Sequence, residues 1–225
     1  MHRRVQSEAD NVRRLRDERG EPGSDAGSQA QRAAEDAALV VGVRARDRNA
    51  VAHLFERHGA RVRRVLRSVL GPSESEIEDL VHEVFVRALE NIGSLERHDR
   101  LENWLVGIAV FVAREFIRRR TRSRFFPLFA DVPEPEVNRV PEHVTEAVRD
   151  TFSVLDKLPA DERIVFSLRF IEGLDLAAVA LVCDVSLSTT KRRLRDAETR
   201  FRGAARAFSS LAPFLEEREE QPCRR

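Results

Sequence analysis

Apolar positions in this chain recur at helical spacing in separate blocks, and polar stretches divide the blocks. Val51, Leu54, Phe55, Val62, Val65, Leu66 and Val69 keep that spacing until Gly71-Pro72 breaks it. Ile77, Leu80, Val81, Val84, Phe85, Ala88 and Leu89 form a second stripe. Ser73 or Ser75 is available to cap that helix, and Glu76 and Glu78 sit favourably near its positive end. A polar connection from Asn91 to Arg100 leads into a third long helix, with Leu101, Trp104, Leu105, Ile108, Ala109, Val112 and Phe116 facing inward. That helix leaves the domain as a run of cations, Arg114, Arg118, Arg119, Arg120, Arg122 and Arg124, too dense in one sign for a plain solvated face.

Pro127, Pro133, Pro135 and Pro141 interrupt the next stretch, which has no sustained period. Proline fixes φ and removes a donor, so 125–141 is predicted to be an extended linker. Beyond it, Ile164, Val165, Leu168 and Ile171 make one helical face, stopped by Gly173. A short apolar helix follows with Leu176, Val179, Ala180 and Val182. Cys183-Asp184-Val185 then supplies a turn in which Asp184 takes the left-handed place, a conformation Asp tolerates better than most non-glycine residues. Ser186 or Ser188 caps the next helix, which carries Thr189, Thr190, Lys191, Arg192, Arg193 and Arg195 in its first turns. Two helices, a tight turn and a cation-rich second entrance are what reading a DNA major groove requires.

The fold class is therefore all-α: two small helical domains joined by a Pro-containing linker, the C-terminal one a helix-turn-helix. The expected boundaries are 1–36 for a disordered N-terminal extension, 37–124 for the first domain and 125–141 for the linker. The helix-turn-helix domain takes 142–208, and a disordered tail 209–225. Residues 1–33 have almost no large apolar side chains, which cannot offset the entropy of ordering them.

Charge sharpens this picture. Of the 225 residues 34% are charged, yet the formal net charge is only +1. Basic clusters at 114–124 and 191–206 stand against acidic 74–83 and 216–220, so local basic faces carry the signal for a nucleic-acid partner. The two cysteines, Cys183 and Cys223, fit neither a zinc site nor a disulfide framework, and the six histidines show no ligand spacing. No metal and no cofactor is expected. No paired carboxylates, nucleophile–base set or phosphate-cradling glycine loop points to an enzyme. The N-terminus lacks the apolar core of a secretory signal. The longest apolar run, Trp104 to Ala113, is half of the roughly 20 residues a membrane span needs, so a cytoplasmic protein is expected.

In this order the pieces resemble the extracytoplasmic-function (ECF) subfamily of bacterial RNA polymerase sigma factors, within the sigma-70 family, over roughly residues 39–207. Asp79-Leu80-Val81-His82-Glu83-Val84-Phe85 resembles the family's polymerase-binding helix. Trp104-Leu105, Ile108-Ala109 and the arginine run resemble the helix that contacts the promoter's −10 element. Leu158-Pro159, Leu168-Arg169, Glu172-Gly173-Leu174 and Ser188 to Leu194 resemble the domain that reads the −35 element. The resemblance implies a non-catalytic factor that directs promoter recognition, melting and transcription initiation. It implies core RNA polymerase, double- and single-stranded promoter DNA and an anti-sigma protein as partners, without membrane insertion, and a monomer when free or bound to polymerase.

Asp79, His82 and Glu83 lie off the apolar stripe and would meet polymerase by complementary charge. Phe111, Arg114, Arg118, Arg119, Arg120 and Arg122 would serve the −10 region, with 91–100 as the loop that captures an unpaired base and the arginines as a track for its backbone. Arg169, Ser186, Ser188, Thr189, Lys191, Arg192 and Arg195 would serve the −35 region, Arg169 as a backbone contact. Departures from the family pattern are His82 in place of Gln, Phe111 in place of a polar residue, commonly Asn, and Val110 where an Arg is frequent. Asp184 replaces the turn Gly, and Ala177 and Ala178 replace two acids. They bear on −10 preference and melting rather than on the fold. Phe111 has two readings, a core ring beside Trp104 or a ring facing DNA. Two rivals to the sigma-factor reading remain. A stand-alone helix-turn-helix regulator would not need the Asp79/Glu83 face, and a helical protein-binding adaptor would have no use for the cations at 191–206.

Overall fold

The computed structural model describes residues 25–125 and 146–212, and within them every regular element is helical. The order is α1 (Asp25–Arg44), α2 (Arg48–Leu70), α3 (Ile77–Asn91) and two single-turn 3-10 segments (Ile92–Ser94 and His98–Arg100). Next come α4 (Leu101–Phe125), α5 (Glu146–Leu155), α6 (Ala160–Phe170), α7 (Leu176–Val182) and α8 (Leu187–Ala205), with a last 3-10 turn at Ser209–Leu211. The linker expected at 125–141 lies outside the described residues after Phe125, as do the first 24 residues and 213–225 of the tail.

The predicted stripes bury as amphipathic faces do. Leu54, Val62, Val65, Leu66 and Val69 of α2 pack with Leu80, Val81 and Val84 of α3 and Leu105, Ala109 and Val112 of α4, all nearly inaccessible to water. Each such Val or Leu side chain contributes roughly 1.5–3 kcal/mol relative to leaving it exposed. Two stripe members turn outward: Phe55, whose ring leans on Phe85 with centroids 4.8 Å apart, and Leu89. Ile171 of the C-terminal stripe is likewise exposed, because α6 ends at Phe170.

Structure reaches further at both ends than composition suggested. Residues 25–36 belong to α1 rather than to an unstructured extension, because Asp36 is buried against Arg57 and His58 while Val40 and Val43 enter the core. At the other end Leu211 is buried beyond the expected boundary at 208, and Ser210 hydroxyl donates to Asp150. Neither predicted serine caps α3: Glu76 holds the N-cap position, and Arg63 of α2 forks onto Glu78 with two bonds of 2.7 Å.

The two halves are not separate bodies here. Ile164, Val165 and Leu168 of α6 and Val179 and Val182 of α7 lie in the same apolar cluster as α2 and α4. Polar latches surround this seam. Arg61 meets Glu172 at 2.5 Å, and the buried Arg163 donates to Val69 O at 2.6 Å while pairing with Asp156. Gly71, at φ 108, ends α2 with its N–H on Arg67 O, and the Phe152 ring lies where a larger residue would project. A second cluster, Val154, Leu155, Leu158, Phe166, Ala197, Ala205 and Leu211, belongs to the C-terminal half alone. In it Phe166 is stacked on Phe201 and tilted against Phe170.

Candidate promoter and polymerase interface

The helix-turn-helix forms as the sequence dictates. Arg169 Nη1 donates to Leu174 O at 2.9 Å across the Gly173 turn, and Gly173 itself sits at φ 73. Asp175 caps α7 by accepting from Ala178 N–H. Asp184 takes the left-handed place at φ 53, and Ser186 caps α8 by accepting from Thr189 N–H at 3.2 Å. Ser186 Oγ also touches the Ser188 and Thr189 hydroxyls, so the three side chains form one polar cluster at the entrance of α8. Ser186, Ser188, Lys191, Arg192 and Arg195 are exposed, Thr189 is half-buried, and Thr190 and Leu194 face inward. One cationic face of α8 is thus exposed, with Arg192 reaching Asp196 at 3.5 Å. Arg169 is not on that face: its guanidinium is half-buried and spends a donor on the turn.

On α3 the outer face carries Asp79, His82 and the half-buried Glu83, with Val86 and Leu89 exposed beside them. Asp79 forms no ion pair with any described residue. Glu83 binds Arg87 at 2.5 Å, which also holds Glu115 of α4 at 2.7 Å. The face is therefore acidic at one end and apolar at the other, and a complementary partner would need both properties.

Phe111 is 46% exposed, with the Arg87 guanidinium 5.1 Å above its ring. The core reading of this residue does not hold: it lies off the buried side of α4, and Trp104 is only half-buried. Both rings line a cleft of about 920 Å³. Asn91, Ser94, Arg97 and Arg100 from the connection after α3 form one wall, α4 the floor, and Leu181 to Asp184 of the helix-turn-helix the opposite wall. Cys183 borders it, with burial pushing its thiol up to about 11, so it stays protonated at neutral pH.

The arginine run finds its acids in distant parts of the chain. Arg114 lies 2.8 Å from Asp161 of α6, and Arg118 and Arg193 approach the same carboxylate at 3.4 and 3.2 Å. Arg120 binds Glu74 at 2.7 Å and reaches Asp156 at 3.8 Å, and Arg119 lies 3.7 Å from Glu76. Arg122 is exposed and borders a smaller cleft with Glu83 and Arg119. A second cavity of about 500 Å³ lies between α1, α2 and the start of α4. There burial pulls the His58 imidazole below its ordinary value, against the opposing pull of Asp36, whose carboxylate is 3.3 Å away.

The described residues hold no group of three or more His, Cys, Asp or Glu side chains suited to a metal ion, and no helix among them is long and apolar enough to cross a membrane. The family model for sigma-70 region 2 matches residues 54–123 and that for sigma-70 region 4 matches 152–201, together more than half of the chain. The ECF RNA polymerase sigma factor SigX of Bacillus subtilis is 30% identical over 127 residues, which cover 52% of this chain and 64% of that protein. The ECF RNA polymerase sigma-E factor of Haemophilus influenzae is 28% identical over 173 residues, covering 71% and 89%. Among solved structures, CnrH in complex with the cytosolic domain of CnrY superposes with a TM-score of 0.54 at 24% identity, over 78% of this chain and 99% of that one, a likeness of fold.

Proposed function

This chain belongs to the extracytoplasmic-function group of the sigma-70 family, and we propose how its faces divide the work of a sigma factor. The outer face of α3, with Asp79, His82 and Glu83, binds core RNA polymerase. The connection 91–100, Phe111 and the arginines of α4 hold the melted −10 strand. The entrance of α8, with Ser186, Ser188, Thr189, Lys191, Arg192 and Arg195, reads the −35 duplex, and Arg169 supports it from the turn. The observation that carries this reading is the pairing within one chain of an exposed acidic helix face in the region 2 segment with an exposed cationic helix entrance in the region 4 segment.

Geometry adds a requirement. Elements named −10 and −35 lie about 25 base pairs apart, or ~85 Å at 3.4 Å per pair. On this reading the seam that Arg114 and Asp161 close must open for one molecule to span both elements. The halves then part on the promoter. An anti-sigma protein is the partner we expect to act on this equilibrium, with the factor itself monomeric in the cytoplasm.

The test is transcription in vitro from genomic fragments by core polymerase with and without the chain. Start sites that appear only with the chain, and share upstream sequences at both elements, support the reading. Activity at no fragment, alongside tight binding of duplex DNA by the chain alone, would point to a stand-alone regulator.

A further inference from the structure

Helix α1 precedes the segment matched by the region 2 model, and its last residue is an arginine that crosses to another part of the molecule. Arg44 Nη2 donates to Leu95 O at 2.7 Å, and is shared with Ile92 O at 3.2 Å and Gly93 O at 3.3 Å. Its Nε donates to Ile92 O at 3.3 Å as well. A helix C-terminus leaves its last carbonyls without intrahelical partners, and α3 ends directly before them, at Asn91. The guanidinium binds carbonyls of the turn just beyond that end, Ile92 O, Gly93 O and Leu95 O, and its charge lies near the negative end of the helix dipole. Ile92 and Leu95 are buried on either side of the clamp, so the turn is fixed by its apolar feet and by Arg44 together. Beyond those feet, Asn91, Ser94 and Arg97 are exposed and border the large cleft.

We propose that Arg44 is a positioning residue for −10 recognition: by clamping three backbone carbonyls after α3 it sets the path of the connection that presents Asn91, Ser94 and Arg97 to an unpaired promoter base. The proposal rests on reading that connection as the base-capturing loop. A polar constellation on an irregular segment holds its geometry only when supporting bonds fix the backbone beneath it. The connection's own braces are short-range: two single-turn segments, Asn91 Nδ2 on Arg87 O, Ser94 Oγ on Asn91 O, and Arg97 on Asp99. The clamp uses both the Nε and Nη2 heads of a planar fork, which a lysine ammonium cannot reproduce.

The experiment uses holoenzyme assembled from core polymerase and the full chain, on a promoter selected by the wild type. It compares Arg44→Ala, Arg44→Lys and the loop variant Ser94→Ala/Arg97→Ala. Four quantities are read: core affinity, binding to −35 duplex, permanganate reactivity of the −10 strand, and amide exchange along 91–100. For Arg44→Ala the expected result is promoter opening slowed about tenfold, the worth of one base contact. Exchange should rise in 91–100 while core affinity and −35 binding stay unchanged, and Arg44→Lys should fall between. Wild-type opening by Arg44→Ala, with the loop variant defective, overturns the role of Arg44 alone. Wild-type opening by the loop variant too overturns the base-capturing reading beneath it. Parallel loss of melting temperature, core affinity and opening would show Arg44 to be a general brace of the fold, also against the proposal.

Discussion

Arg114 of α4 and Asp161 of α6 meet at 2.8 Å across the seam between the two halves of the molecule. The same carboxylate gathers Arg118 and Arg193, so one acid stands where two cations of the expected DNA track and one cation of α8 converge. Asp161 thus neutralises cations that the proposed DNA track would use.

Asp161→Asn should therefore release these arginines. Single-stranded DNA should bind the free chain about fivefold more tightly, since such a partly exposed pair is worth up to roughly 1 kcal/mol. Fluorescence transfer between labels on α2 and α8 should fall as the halves separate. Unchanged DNA affinity together with unchanged transfer would mean that Asp161 does not compete with DNA.

Within α8, Arg192→Ala or Arg195→Ala should cost about 1–3 kcal/mol of promoter binding where the residue reads a base edge, with specificity relaxed at that position. Arg169→Ala should behave differently, because its guanidinium holds Leu174 O. It should lower the stability of the helix-turn-helix by about 1 kcal/mol, the worth of a hydrogen bond, and weaken all promoters alike. Thermal melts beside binding to a panel of single-base promoter variants separate the two cases. A base-specific loss for Arg169→Ala would contradict the placement.

Phe111→Ala should leave stability within about 0.5 kcal/mol of wild type, as expected of an exposed position. A core ring would cost about 3–5 kcal/mol instead. Promoter opening should slow, because stacking on an unpaired base is worth about 1–3 kcal/mol. A normal permanganate footprint in a stable variant would remove Phe111 from the promoter interface.

His58 supplies a pH dependence of known sign. Burial holds its folded pKa below the ordinary value of 6.5, so the unfolded chain binds the proton more readily. The resulting stability is complete above about pH 6.5 and is lost as pH falls below it towards the folded pKa. The urea midpoint should drop between pH 7.5 and 5.5, and His58→Gln should flatten that slope. Equal slopes in the two proteins would assign the acid sensitivity to other groups.

What the sequence made legible was local. The Ile77 to Ala88 stripe, the left-handed Asp184 and the Ser186 cap all follow from spacing and residue type within one or two turns, and the structure has all three. Leu89 belongs to the same apolar pattern but lies outward, since a stripe does not specify its own edge. Asp161 opposite Arg114, and Glu74 and Asp156 opposite Arg120, lie many turns away in sequence, beyond any helical spacing rule. Asp36 and Arg44 look like ordinary polar residues in a weakly apolar segment, and only the packing of α1 on α2 and on the turn after α3 gives them partners. An exposed fork and a clamped one read the same in sequence.

The most direct measurement is the affinity of the chain for core RNA polymerase, wild type against Asp79→Lys/Glu83→Lys, with circular dichroism to follow helix content. Both side chains lie off the core, so helix content should be unchanged. The wild type should bind saturably and tightly, and the double variant should not bind. Equal binding by both proteins, or none by the wild type, would contradict this.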